Sequence, residues 1–129
     1  QLKRLDDWLV RGRAIAARYH EAFASLEGVE TPAIRPETAH AWHQYCLLAD
    51  HPDALREALD RAAIDSRVYY ATPIHRQKVY ENHGQFETEL AVTDDIAHRL
   101  VAIPVHHQMT DEEVERVIDA VLASSRSLS

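Results

Sequence analysis

The chain has 129 residues, a net charge of −7 with histidine neutral, 46% hydrophobic and 27% charged residues. That is one domain's worth of a soluble globular chain, able to bury roughly two thirds of the surface it exposes unfolded. The basic residues are scattered and outnumbered, which argues against a nucleic-acid footprint, and no apolar run approaches the roughly 20 residues of a membrane span.

Gln1 is not a natural start, so a fragment or processed piece is expected. Leu2, Leu5, Leu9, Gly12, Ala16, Tyr19, Phe23 and Leu26 keep three-four spacing, which predicts one long helix over residues 1–27 that Gly28 stops. Such a helix spans roughly 40 Å, longer than a compact domain of this size is wide. It starts without a cap and reads as the tail of a helix from a longer protein. Part of its apolar stripe is expected to stay exposed and to pair with a missing domain or another copy. Residues 29–38, with Pro32 and Pro36, read as a loop.

His40–Ala49, carrying Trp42, Tyr45, Leu47 and Leu48, reads as a strand, and Cys46 within it as a buried, inert thiol of a cytosolic protein. Asp50 or His51 then precedes a proline suited to a first helical turn. Leu55, Ala58, Leu59, Ala62 and Ala63 form the stripe of a helix ending near Ala63. Arg67–Tyr70 is β-branched and aromatic, so it reads as a short strand that must stop by Thr72, before Pro73. It ends in a polar turn carrying His75. Tyrosine hydroxyls and an imidazole at a strand end are common ligand contacts. From His75 to Glu89 the signal is weak, with one helical turn at Lys78–Asn82 and a break at Gly84.

Thr93-Asp94-Asp95 looks like a helix start, with Ile96, Ala97 and Leu100 facing inward. Leu100–Ile103 is a strand stopped by Pro104. Thr110 to Glu113 is a capping box, followed by the amphipathic run Val114, Val117, Ile118, Val121 and Leu122, with fraying expected over Ser124–Ser129. The sum is α+β: a small sheet of about three strands, mostly antiparallel, covered by helices and preceded by the long N-terminal helix.

Much familiar chemistry is missing. The glycines Gly12, Gly28 and Gly84 cannot build a phosphate-cradling loop. His40 and His43 fall on opposite faces if they lie in a strand, and His106-His107 has no Cys pair or His-Glu-x-x-His pattern beside it, so no metal site is expected. No Gly-x-Ser-x-Gly elbow appears. The acid pairs sit at helix starts or faces, where solvation and the helix dipole explain them.

The ordered set of motifs nevertheless resembles one family. Gln1-Leu2-Lys3-Arg4-Leu5 with Arg11-x-Arg13-x-Ile15-Ala16-x-x-Tyr19, then Trp42-His43-Gln44-Tyr45, resemble the helix and first small-domain strand of DegT/StrS enzymes. Leu55 through Ile64 and Arg67-Val68-Tyr69-Tyr70-x-x-Pro73-Ile74-His75 resemble the segment that follows, with Ala63 where a glycine is frequent. Leu100 to His106 and Thr110-x-Glu112-Glu113-Val114-x-x-Val117 resemble the closing strand and helix. These are pyridoxal-phosphate-dependent aminotransferases of nucleotide-linked keto-sugars.

The resemblance implies a connecting helix over 1–27 from a missing large domain and a C-terminal small domain over 28–129. It implies a cytoplasmic homodimer, glutamate as amino donor and a nucleotide-sugar substrate held by Tyr70, His75 and Tyr69. Strand alternation would aim Tyr70 into the cleft and pack Tyr69 on a helix. The cofactor's lysine and phosphate contacts would lie in the large domain. Lys3 and Lys78, the chain's two lysines, are poor candidates for covalent attachment, so the chain alone is expected to bind no pyridoxal phosphate covalently and to catalyse nothing. Two alternatives stay open: the small domain of a related keto-deoxysugar dehydratase, and a stand-alone binding or regulatory module.

Overall fold

The computed structural model describes residues 2–80 and 90–126. Helix α1 (Leu5–Phe23) follows a single 3-10 turn at Leu2–Arg4, so the regular helix is shorter at both ends than the spacing predicts. Its start carries no side-chain cap. Ile15, absent from the predicted stripe, joins Gly12, Ala16, Tyr19 and Phe23 on the buried face. Leu5 stays 42% exposed, so the stripe is buried only from its middle onward. Gly28 sits at φ 74°, the left-handed conformation that glycine adopts without strain, and its carbonyl accepts from the Asp50 amide at 2.8 Å.

Strand β1 (Val29–Glu30) lies in the stretch read as loop; two residues are too few to show a period. Strand β2 (Tyr45–Ala49) begins five residues later than expected. The reason is Trp42, whose φ of 51° breaks the pleat, while His40 Nδ1 accepts from the Trp42 amide at 2.9 Å and closes a local turn. Helix α2 (Pro52–Arg61) has its proline in the first turn, where a missing N–H costs nothing. Helix α3 (Ala91–Arg99) starts two residues before Thr93, and no side chain caps it. Strand β3 (Leu100–Ile103) and helix α4 (Asp111–Arg126) complete the chain.

The sheet is antiparallel in the order β1-β2-β3, with Val29 opposite Ala49 and Tyr45 opposite Ile103. The expected strand at Arg67–Tyr70 is not there. Only Arg67 pairs, bridging Ala102 on the outer edge of β3 through hydrogen bonds of 3.1 and 2.7 Å. Tyr70 has φ 58°, so extended geometry cannot run through it. The sheet's third strand is therefore β1.

Helices α1, α2 and α4 enclose the core with β2 and β3. Along β2, Tyr45, Leu47 and Ala49 point inward, whereas Cys46 and Leu48 are half-buried. Cys46 is thus not the fully buried thiol expected of it; partial burial still pushes its pKa up. The capping box forms: the Thr110 amide donates to Glu113 Oε2 at 2.8 Å and the Glu113 amide to Thr110 Oγ at 3.2 Å. Helix α4 does not fray at Ser124, which is buried and donates to the Val121 carbonyl. Arg11 and Arg18 of α1 both reach Asp111, and Arg18 also reaches Glu115, so α1 and α4 are tied at their surface. Lys78–Tyr80 is a 3-10 turn; the rest of the expected turn and Gly84 lie outside the described residues.

One local feature predicts a measurable gain. Past the end of α2, the Ile64 amide donates to Leu59 O (2.9 Å) and the Ala63 amide to Asp60 O (2.8 Å), the pattern of a Schellman stop. Its left-handed position is held by Ala63 at φ 55°. A Cβ there costs about 1–2 kcal/mol, partly offset by the extra unfolded-state freedom of glycine. Ala63→Gly is expected to stabilise the fold by roughly 0.5–1 kcal/mol, read as a higher Tm in thermal denaturation.

Candidate functional site

The register builds one polar cleft. Because Tyr45 opposes Ile103, the residues before β2 and after β3 meet at the same sheet end, and the Arg67–Ala102 bridge brings a third segment to that edge. Together they line a cleft of about 360 Å³ with His43, Gln44, Asp65, Arg67, Tyr69 and His106 over a floor of Ala102 to Val105. The lining offers a phenol, two imidazoles, an amide and a guanidinium, groups that hydrogen-bond a hydroxyl-rich ligand. Arg67 is not a bare cation, since Asp65 accepts from its Nη2 at 2.7 Å and its Nε at 3.1 Å. Among the described residues, no group of three or more His, Cys, Asp or Glu side chains could hold a metal ion.

Of the residues singled out in the sequence, Tyr69 lines this cleft and is 36% exposed. Tyr70 stands 84% exposed beside it, on a left-handed backbone. The alternation argument lapses with the strand it assumed. The segment carrying both tyrosines is held at two points. One is the Arg67 bridge. The other is the buried Pro73 with the 3-10 turn Ile74–Arg76, where His75 Nε2 lies 2.9 Å from Asp94 Oδ1 and Arg76 donates to the same carboxylate at 2.7 and 3.2 Å. Only 8% of the His75 side chain is exposed. The hydrogen bonds and charges of Arg76 and His75 hold the Asp94 carboxyl below its usual range, Arg76 contributing most.

His43, Gln44, Arg67 and His106 are cleft residues that the sequence pointed to only as rejected metal ligands or as parts of a motif. His107, next to His106, instead stacks on Trp8 of α1 with ring centres 4.4 Å apart.

The family model for DegT/DnrJ/EryC1/StrS aminotransferases matches residues 1–122. The chain belongs to that family. It is 33% identical over 129 residues to the spore coat polysaccharide biosynthesis protein SpsC of Bacillus subtilis, covering 94% of this chain and 33% of SpsC. It is 31% identical over 121 residues to the dTDP-3-amino-3,6-dideoxy-alpha-D-galactopyranose transaminase of Aneurinibacillus thermoaerophilus, covering 94% of this chain and 32% of that protein. Among solved structures, DesV of S. venezuelae superposes with a TM-score of 0.87 at 30% identity, over 96% of this chain and 33% of DesV. The chain thus spans about a third of the length of the relatives it matches.

Neither of the chain's two lysines sits in a site suited to covalent attachment of a cofactor. Covalent attachment needs a lysine desolvated in a pocket. Lys3 lies in the exposed turn before α1 and Lys78 in an exposed 3-10 turn. What the cleft offers is hydrogen-bonding groups gathered at one sheet edge.

Proposed function

We propose that the chain is the C-terminal small domain of a pyridoxal-phosphate-dependent aminotransferase that moves an amino group, from glutamate, onto a nucleotide-linked keto-sugar. The segment 1–27, with α1 at its centre, is the connection from a large domain, and residues 28–129 are the small domain. The parent enzyme is a cytoplasmic homodimer, and its cofactor is held by the part of the protein outside this chain. The reading is carried by the family match over residues 1–122; the doubly anchored Arg67–Arg76 segment, which presents Tyr69 to the cleft and Tyr70 to the open face, supports its substrate-holding part. Presenting a large aromatic on a left-handed backbone costs of order 1–3 kcal/mol, a cost that clusters at ligand contacts.

In this reading the small domain covers and orients substrate. Tyr70, Tyr69 and His75 hydrogen-bond the sugar or its diphosphate, and proton transfer at the substrate carbon belongs to groups outside this chain. The test is to supply the intact protein with pyridoxal phosphate, glutamate and nucleotide keto-sugars. The expected product is an amino sugar with consumption of glutamate. Loss of a sugar hydroxyl without amino transfer would assign the protein to the related dehydratases instead, and binding of no nucleotide sugar at all would overturn the reading.

A further inference from the structure

We infer that Arg67 is the cleft's anion contact: its guanidinium takes a phosphate or carboxylate group of the substrate, an inference that rests on the reading just given. Arg67 is the one arginine in the cleft lining, and a guanidinium carries its charge whatever its surroundings. Its backbone is fixed, because its amide and its carbonyl both bond to Ala102 at the edge of β3. Its side chain is oriented as well. Asp65 Oδ2 accepts from Nε at 3.1 Å and from Nη2 at 2.7 Å, so the carboxylate takes one edge of the planar fork. The end-on edge, formed by Nη1 and the second hydrogen of Nη2, has no partner among the described residues. Two parallel N–H donors in one plane match two oxygens of a phosphate or a carboxylate.

The surroundings favour an anion too. The chain carries 21 acidic residues against 14 Lys and Arg, so most approaches to it are unfavourable for a negative ligand. The cleft differs. Among its described lining residues Asp65 is the one carboxylate, and Arg67 engages it, while Gln44 and Tyr69 add neutral donors. In an amino transfer from glutamate to a nucleotide-linked sugar, the anion has two sources: the sugar's diphosphate and the donor's carboxylate. The contact chemistry is the same for both, and the experiment separates them.

The test uses the full-length protein. Arg67→Gln keeps the backbone bridge to Ala102, and the replaced side chain is 65% exposed, so an unchanged Tm is expected. The variant should lower kcat/KM for at least one of the two substrates by about 10- to 150-fold, through KM far more than through kcat. A loss confined to the nucleotide sugar assigns the diphosphate, and a loss confined to glutamate assigns the carboxylate. Removing Arg67 also bares the Asp65 carboxylate, which repels an anion by itself. The deciding variant is therefore Arg67→Gln combined with Asp65→Asn, in which both charges go, and the loss is expected to persist there. Recovery of wild-type kcat/KM in the double variant would overturn the contact. So would unchanged values for both substrates in Arg67→Gln when Tyr70→Phe binds the sugar weakly, an outcome that leaves the substrate reading standing. Unchanged values in Arg67→Gln and Tyr70→Phe alike would remove the substrate reading as well.

Discussion

Tyr70→Phe and His75→Ala, each made in the full-length protein, are expected to weaken nucleotide-sugar binding by roughly 5- to 150-fold without preventing cofactor attachment. The range corresponds to on the order of 1–3 kcal/mol for one lost hydrogen bond whose partner is left buried in the complex. Tyr70 is held at φ 58° with 84% of its surface in solvent, so little packing within the chain compensates the backbone strain. That mismatch gives a second handle. Tyr70→Gly relieves the left-handed strain and should leave the free protein at least as stable, yet it should bind the sugar as poorly as Tyr70→Phe or worse. His75→Ala removes one of the two groups on Asp94 and leaves Arg76 to hold the carboxylate alone. Isothermal titration with the nucleotide sugar measures both variants. Equal affinity in wild type and both variants would take these residues out of the binding site.

The largest stability effect is expected at Tyr45. Its ring is fully buried, 5.1 Å from both Tyr19 and Trp42 and 5.4 Å from His20, and its hydroxyl meets His20 Nδ1 at 3.0 Å. Burial pushes the Tyr45 pKa up, so the phenol stays protonated and can donate. His20 Nε2 in turn hydrogen-bonds the Pro32 carbonyl at 3.0 Å, which ties α1 to the loop before β2. Tyr45→Ala deletes an aromatic at the centre of that cluster and should cost about 3–5 kcal/mol, the range for large-to-small core changes. Set against a typical total of about 5–15 kcal/mol, such a loss is enough to leave a marginal domain partly unfolded. Tyr45→Phe keeps the ring and loses only the hydrogen bond, about 1 kcal/mol. Urea denaturation of the two variants separates packing from hydrogen bonding. Equal midpoints for both would show that the ring cluster contributes little.

Helices α2 and α4 were legible because their apolar spacing and start signals agree: Pro52 opens one, and the Thr110–Glu113 box opens the other. Strand β3 was legible from Leu100 to Pro104 for the same reason. The failures share a physical cause. Trp42, Ala63 and Tyr70 all take positive φ, a conformation L-residues avoid, so no propensity could announce that β2 starts late or that Arg67–Tyr70 is no strand. The start of α3 was misplaced because Asp94 looked like part of a capping turn, when its carboxylate is spent on His75 and Arg76 from another segment. The cleft was invisible for a different reason. It exists only because Tyr45 pairs with Ile103 and Arg67 with Ala102, and register between distant segments leaves no local mark. The motif set did point to the family and to Tyr69, Tyr70 and His75, but not to the partners that surround them.

These residues should hold substrate while the cofactor is bound elsewhere in the parent enzyme. Borohydride reduction in the presence of pyridoxal phosphate, followed by peptide mapping, tests it most directly. The 129-residue chain should show no stoichiometric, site-specific label. The intact protein should carry one pyridoxyl group, on a lysine outside this chain. Stoichiometric labelling of Lys3 or Lys78 in either sample would contradict the account.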